Sequence, residues 1–125
     1  MKIGVSSYSF ANYMRDTGAD YLKICDIAKE TGFDGIEFID LSTDVQSAES
    51  VEALAKTIRD YCDQIGLEIP AYTIGADFIE RENEVERLKK QVDIAAILGA
   101  KVMRHDVTWR KDVDWREIIE RTAAQ

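Results

Sequence analysis

The only histidine in the chain, His105, stands between Arg104 and Asp106 in the stretch GAKVMRHDV at 99–107. An imidazole titrates near neutral pH, so it can act as acid, base or ligand contact, or as a hydrogen-bonded structural group. Arg104 can pair with a carboxylate or clamp a phosphate or acid. Glu37 lies between the apolar residues Ile36 and Phe38. A carboxylate turned into a protein interior is costly without partners. Glu37 is therefore either a satisfied structural group or an acceptor for substrate hydroxyls. Tyr72, in IPAYT, and Tyr8, in SSYSF, can pack a rim or stack on a ligand. Glu37, Tyr72, Arg104 and His105 are the candidate substrate-binding residues, and no residue is assigned as catalytic.

Other chemistries lack their parts. The serines near the N-terminus have one distant histidine and no nucleophile-elbow glycines, so no triad is expected. One histidine with scattered carboxylates offers no HxxE or HxH pair, so no metal ligands are assigned to this chain. SSYSFANYM contains no GxGxxG, which argues against a dinucleotide site. Acidic residues outnumber basic ones 24 to 16, and a net charge of −8 repels phosphate backbones, so nucleic acid is not an expected partner.

The candidates need elements to position them, and a repeat supplies these. TGFDGIEF at 31–38, IGLEIPAY at 65–72 and LGAKVMRH at 98–105 overlay on Gly32, Gly66 and Gly99, each following a helical pattern. Such glycines suit the left-handed position that ends a helix. The clearest helix carries Val51, Leu54, Ala55, Ile58, Tyr61, Cys62 and Ile65 on one face, with Ser47 as expected N-cap. An earlier helix uses Tyr21, Ile24, Cys25 and Ala28. A later one starts at Asn83 with Glu86 in capping-box spacing, and runs through Val85, Leu88, Val92 and Ala95. A fourth starts at Asp114 and is expected to run on to Gln125. One-sided helices must cover something, and IGVSS, GIEFI, IPAYT and KVMRH read as the strands of a parallel sheet.

The order is βαβαβαβα, at about 33 residues per unit, and eight such units make the roughly 250 residues of a (β/α)₈ barrel. The chain is expected to be α/β: one partial TIM-barrel domain over 1–125, the first four βα units, truncated in the fourth helix. In such folds chemistry sits beyond the carboxyl ends of the strands. Those ends carry Ser6, Ser7, Tyr8 and Phe10, then Glu37 and Asp40, then Tyr72, Thr73 and Asp77, then Arg104, His105 and Asp106. Alternation along the strands is expected to turn Ile36, Phe38 and Val102 to the helices, and Glu37, Met103 and His105 inward, leaving Arg104 outward.

Cys25 and Cys62 lack CxxC spacing and fall in helical patterns, so buried reduced thiols and a cytoplasmic location are expected. No apolar run is long enough to span a membrane, and the N-terminal stretch does not read as a secretory signal. First and fourth strands would be open edges, so the chain is expected to form a homodimer or to be completed by a C-terminal half.

KIGVSSYSF, TGFDGIEFID and AAILGAKVMRHDV resemble the sugar phosphate isomerase/epimerase family of the xylose-isomerase-like TIM barrel superfamily, across the whole chain and in register. The resemblance implies the N-terminal half of a metal-dependent sugar (phosphate) or polyol isomerase or epimerase. The same fold also allows an inosose-type dehydratase or lyase, and a non-catalytic half-barrel binding module is the reading from another class. Full-length relatives are expected to use a divalent metal (Mn, Mg, Co or Zn) held by residues of the fifth to eighth strands. None is therefore expected in this chain alone, and the isolated chain is expected to be inactive. Endonuclease-type members place zinc-binding histidines on the third and fourth strands. Here the third strand offers Tyr72, which disfavours that branch.

Overall fold

The computed structural model describes residues 1–123. Four strands, β1 (Gly4–Ser6), β2 (Gly35–Ile39), β3 (Ala71–Ile74) and β4 (Val102–His105), form one parallel sheet in the order β1-β2-β3-β4. A short 3₁₀ turn, Ser7–Phe10, leads from β1 into α1 (Ala11–Thr17). The remaining helices are α2 (Tyr21–Thr31), α3 (Val51–Ile65), α4 (Glu84–Leu98) and α5 (Trp115–Thr122). This is half of a TIM barrel: each strand is followed by helix, and every crossover leads to the next strand.

The helix ends show why these residues stop where they do. Gly32, Gly66 and Gly99 close α2, α3 and α4 at φ of 95°, 67° and 79°, a region where a side chain is strained. At the starts, Asp20 accepts from the Lys23 amide (2.8 Å) and Asp114 from the Arg116 amide (2.8 Å). Ser50, not Ser47, caps α3 by accepting from the Ala53 amide at 3.2 Å. The Asn83 capping box is not formed. Asn83 sits at φ 58°, away from the extended backbone a side-chain cap requires, and Glu86 pairs with Lys89 instead. The expected run of α5 to Gln125 lies outside the described residues.

The core fills the space between the sheet and α2, α3 and α4. Ile36, Phe38, Tyr72 and Ile74 enter it from the strands, meeting Ile24, Cys25 and Ala28 of α2, Leu54, Ala55, Ile58 and Cys62 of α3, and Leu88, Ile94, Ala95 and Leu98 of α4. Val92, expected on that face, is 54% exposed. Cys25 and Cys62 are free, buried thiols with sulfurs 3.6 Å apart.

One irregularity shapes the sheet. Gly35 bridges Glu68, yet Phe38 pairs with Tyr72, so β3's approach holds one residue more than β2 over the same span. Pro70 falls in this bulge, where its missing N–H costs no ladder bond. Opposite it, a Cβ on Gly35 would stand 2.9 Å from the Glu68 carbonyl oxygen, so only glycine fits.

Candidate functional site

Partners across a parallel ladder share a face. Tyr72 pairs with Met103, Thr73 with Arg104, and Ile74 with His105. The helix-facing set is therefore Val5, Ile36, Phe38, Tyr72, Ile74, Met103 and His105. The opposite face, which would line the barrel, carries Gly4, Ser6, Gly35, Glu37, Ile39, Ala71, Thr73, Val102 and Arg104.

Glu37 and Arg104 are thus brought to one face, with Thr73 between their strands. The Thr73 hydroxyl, almost fully buried, donates to Glu37 Oε1. Oε2 has no hydrogen-bond partner among the described residues, so Glu37 retains a free acceptor. Arg104 is exposed and forks toward Asp106 Oδ1 at 3.2 Å. Its guanidinium keeps donors for a further anion or hydroxyl.

Two expected members are elsewhere. Tyr72 is fully buried on the helix side, donating to Gln91 Oε1 of α4 (3.0 Å) and accepting from the Leu41 amide (3.3 Å). Burial pushes its phenol up to about 12, with the Leu41 amide opposing. The expectation of a rim tyrosine is corrected: this ring joins sheet to helix. Removing its hydroxyl in Tyr72→Phe strands the buried Leu41 amide and Gln91. The expected result is a loss of about 1–2 kcal/mol in urea melts, with ligand affinity at the mouth unchanged.

The inward placement of Met103 and His105 is likewise corrected. Met103 packs against the core, and the His105 ring lies 5.8 Å from Phe78 over a groove shared with Leu88 and Val107. Its Nδ1 sits 2.8 Å from the Asp106 carbonyl oxygen, which only accepts, so Nδ1 carries the proton. Val102, expected to face the helices, is 60% exposed on the open face. The signal for this was available. Counted from the helix-ending glycines, Arg104 holds the place of Glu37, while His105 holds that of Phe38 and Tyr72.

A buried ionic network beside β3 was not anticipated. Asp77 is fully buried, its Oδ1 accepting from the Ile79 and Glu80 amides at 3.0 and 3.1 Å, while its own amide donates to Glu84 Oε1 at 2.8 Å. Burial pushes the Asp77 carboxyl up, but the two amides and the Thr108 hydroxyl more than offset this and hold it low. Glu84, also buried, takes Arg87 in a two-point bridge, Nε–Oε2 2.7 Å and Nη2–Oε1 2.9 Å. Arg87 also donates to the Gly75 carbonyl, and the Gly75 amide donates to Asp40 Oδ2 at 3.0 Å. Asp40 holds φ 40°, a strained value for a residue with a side chain. Arg81 lies 4.8 Å over the Trp109 ring, tying the loop after β4 to the loop after β3. In the sequence, only the i, i+3 spacing of Glu84 and Arg87 hinted at this network.

Among the described residues, no group of three or more His, Cys, Asp or Glu side chains converges to hold a metal ion. No helix among the described residues is long and apolar enough to cross a membrane.

A likeness in fold is found with the crystal structure of the probable 3-DHS dehydratase AsbF, involved in petrobactin synthesis, from Bacillus anthracis. The TM-score is 0.68 at 20% identity, over 99% of this chain and 45% of that one, so this chain spans less than half of AsbF. Comparison with curated protein sequences returns no match. The family model described as xylose isomerase-like TIM barrel matches residues 25–124, four fifths of the chain. With its parallel half barrel and polar groups gathered at the carboxyl ends of the strands, the chain belongs to the xylose isomerase-like TIM barrel family.

Proposed function

We propose that this chain is a partial TIM-barrel domain supplying the substrate-binding half of a sugar or polyol isomerase or epimerase. The observation that carries the reading is the Glu37–Thr73 pair, set beside Arg104 on the barrel-lining face. Glu37 accepts a substrate hydroxyl at Oε2, and Thr73 holds the carboxylate in place. Arg104 takes a phosphate, a carboxylate or a further hydroxyl. The substrate is a small sugar, sugar phosphate or polyol. The proton transfer between adjacent carbons, and the divalent metal (Mn, Mg, Co or Zn) expected for the whole barrel, belong to residues outside this half. Free buried thiols and an acidic surface fit a cytoplasmic enzyme that does not bind nucleic acid.

A dehydratase or lyase acting on an inosose-like ketone is the second reading, favoured by the likeness in fold to AsbF, a probable dehydratase. Both reactions begin by removing a proton beside a carbonyl, so the same binding half serves either. The test uses the chain completed by a C-terminal half that carries the remaining strands of the barrel, assayed on aldose–ketose pairs and on inosose. Glu37→Gln is expected to lower turnover about 10²-fold while thermal stability is held. Formation of an isomeric sugar supports the first reading, and loss of water supports the second. Full turnover in Glu37→Gln would make the Glu37–Thr73 bond purely structural and remove the basis of both.

A further inference from the structure

A cavity of about 560 Å³ lies between the segment that follows β1 and the loop that follows β2, within the usual size of small-ligand pockets. It adjoins the barrel-lining face through Ile39, which shares that face with Glu37 and lies two residues nearer the mouth. Ala11, Met14, Ala19 and Val45 supply apolar walls, and the Tyr8 ring, 74% exposed, stands at its edge.

Its polar groups are few and specific. Tyr21 is 4% exposed, and its hydroxyl oxygen accepts from the Ser42 amide at 3.1 Å. Ser7 is 6% exposed, and its hydroxyl accepts from the Ile39 amide at 3.1 Å. Neither hydroxyl proton has an acceptor among the described residues. Asp40 spends Oδ2 on the Gly75 amide and has no partner at Oδ1 among the described residues. The cavity therefore offers two buried O–H donors beside a carboxylate acceptor.

This combination discriminates among ligands. A phosphate or carboxylate would meet Asp40 and Asp44, and the one cation of the lining, Arg15, turns its Nε and Nη1 to Asp16 and Asn12, so negative charge is in excess here. An ammonium group would suit the carboxylates but has no lone pair for Tyr21 and Ser7. An alcohol both donates and accepts, and so satisfies the two kinds of group at once.

We infer that this cavity binds the uncharged, hydroxyl-bearing side of a cyclic polyol. The assignment rests on the sugar or polyol reading above and extends it to substrate orientation. The neutral ring edge enters between α1 and the loop after β2, and any anionic end points across the sheet toward Arg104. A pocket selective for neutral hydroxyls sets which isomer the barrel accepts.

The test is NMR of the isotopically labelled 125-residue chain titrated separately with myo-inositol and with inorganic phosphate. The expected result is movement of the Ala19, Tyr21 and Val45 amide signals with millimolar myo-inositol, and none at these positions with phosphate. Tyr21→Phe is expected to weaken the response about tenfold, the effect of one buried hydrogen bond. Ala19→Leu, which fills the cavity, is expected to abolish it. Still signals with myo-inositol, equal affinity in Tyr21→Phe, or equal movement with phosphate would each overturn the assignment. This readout needs no turnover. A failed isomerase assay leaves the shifts standing, and a failed titration leaves the Glu37→Gln result standing.

Discussion

At low micromolar concentration the 125-residue chain is expected to sediment as a species of at least two-chain mass. The outer edges of β1 and β4 have no neighbouring strand among the described residues. Such edges present rows of N–H and C=O groups that recruit other strands. The face that would line a barrel is uncovered as well: Gly4 and Arg104 are exposed and Val102 is 60% exposed. Two copies related by a two-fold axis can offer β1 to β4 twice, closing eight strands through one self-complementary interface. An association of this kind should bury on the order of 1,200–2,000 Å², enough for a stable pair. A C-terminal half added in trans would compete for the same edges and replace the second copy. A monomer of one-chain mass that unfolds cooperatively would sink the prediction and mark the four-stranded sheet as self-sufficient.

Replacing Glu84 is expected to be the most damaging single substitution in the loop region after β3. Its side chain is 2% exposed, whereas Arg87 is 32% and Arg81 is 41% exposed, so the stranded cations regain part of their hydration. The expected cost of Glu84→Gln is therefore near the lower end for breaking a buried pair, about 3 kcal/mol, or roughly 10 °C in Tm. The pH dependence has a definite sign. The Arg87 bridge holds the Glu84 carboxyl below its ordinary value of 4.5, with burial opposing. A folded-state value below the unfolded one means that the unfolded chain takes up the proton first. The stabilisation is thus complete above about pH 4.5 and lost as pH falls through the lowered folded value. Urea melts should show a large gap between the native chain and Glu84→Gln at pH 7 that closes toward pH 3. A gap of equal size at both would show that packing, and not charge, holds the loop.

Much of the architecture was legible in the chain because it depends on local chemistry. Gly32, Gly66 and Gly99 announce three helix ends, since only glycine enters the left-handed region without strain. Val51, Leu54, Ile58 and Cys62 recur at helical spacing, and the alternation of Ile36, Glu37 and Phe38 orients β2 on its own. Together they determine parallel βα units, the family, and the inward carboxylate at Glu37. The β4 strand was different. Val102 and Met103 are adjacent and both apolar, so alternation within the strand could not choose which of them turns to the core, and only the count from Gly99, which sets Arg104 in the place of Glu37, pointed to Met103. Pairing with β3 chose, because a ladder aligns Thr73 with Arg104 and Ile74 with His105, and one residue's slip exchanges the two faces. The Asp77–Glu84–Arg87 network was better hidden. Its worth comes from burial, and burial arises only when the loop after β3 folds over Gly75 and brings charges from separate turns out of water.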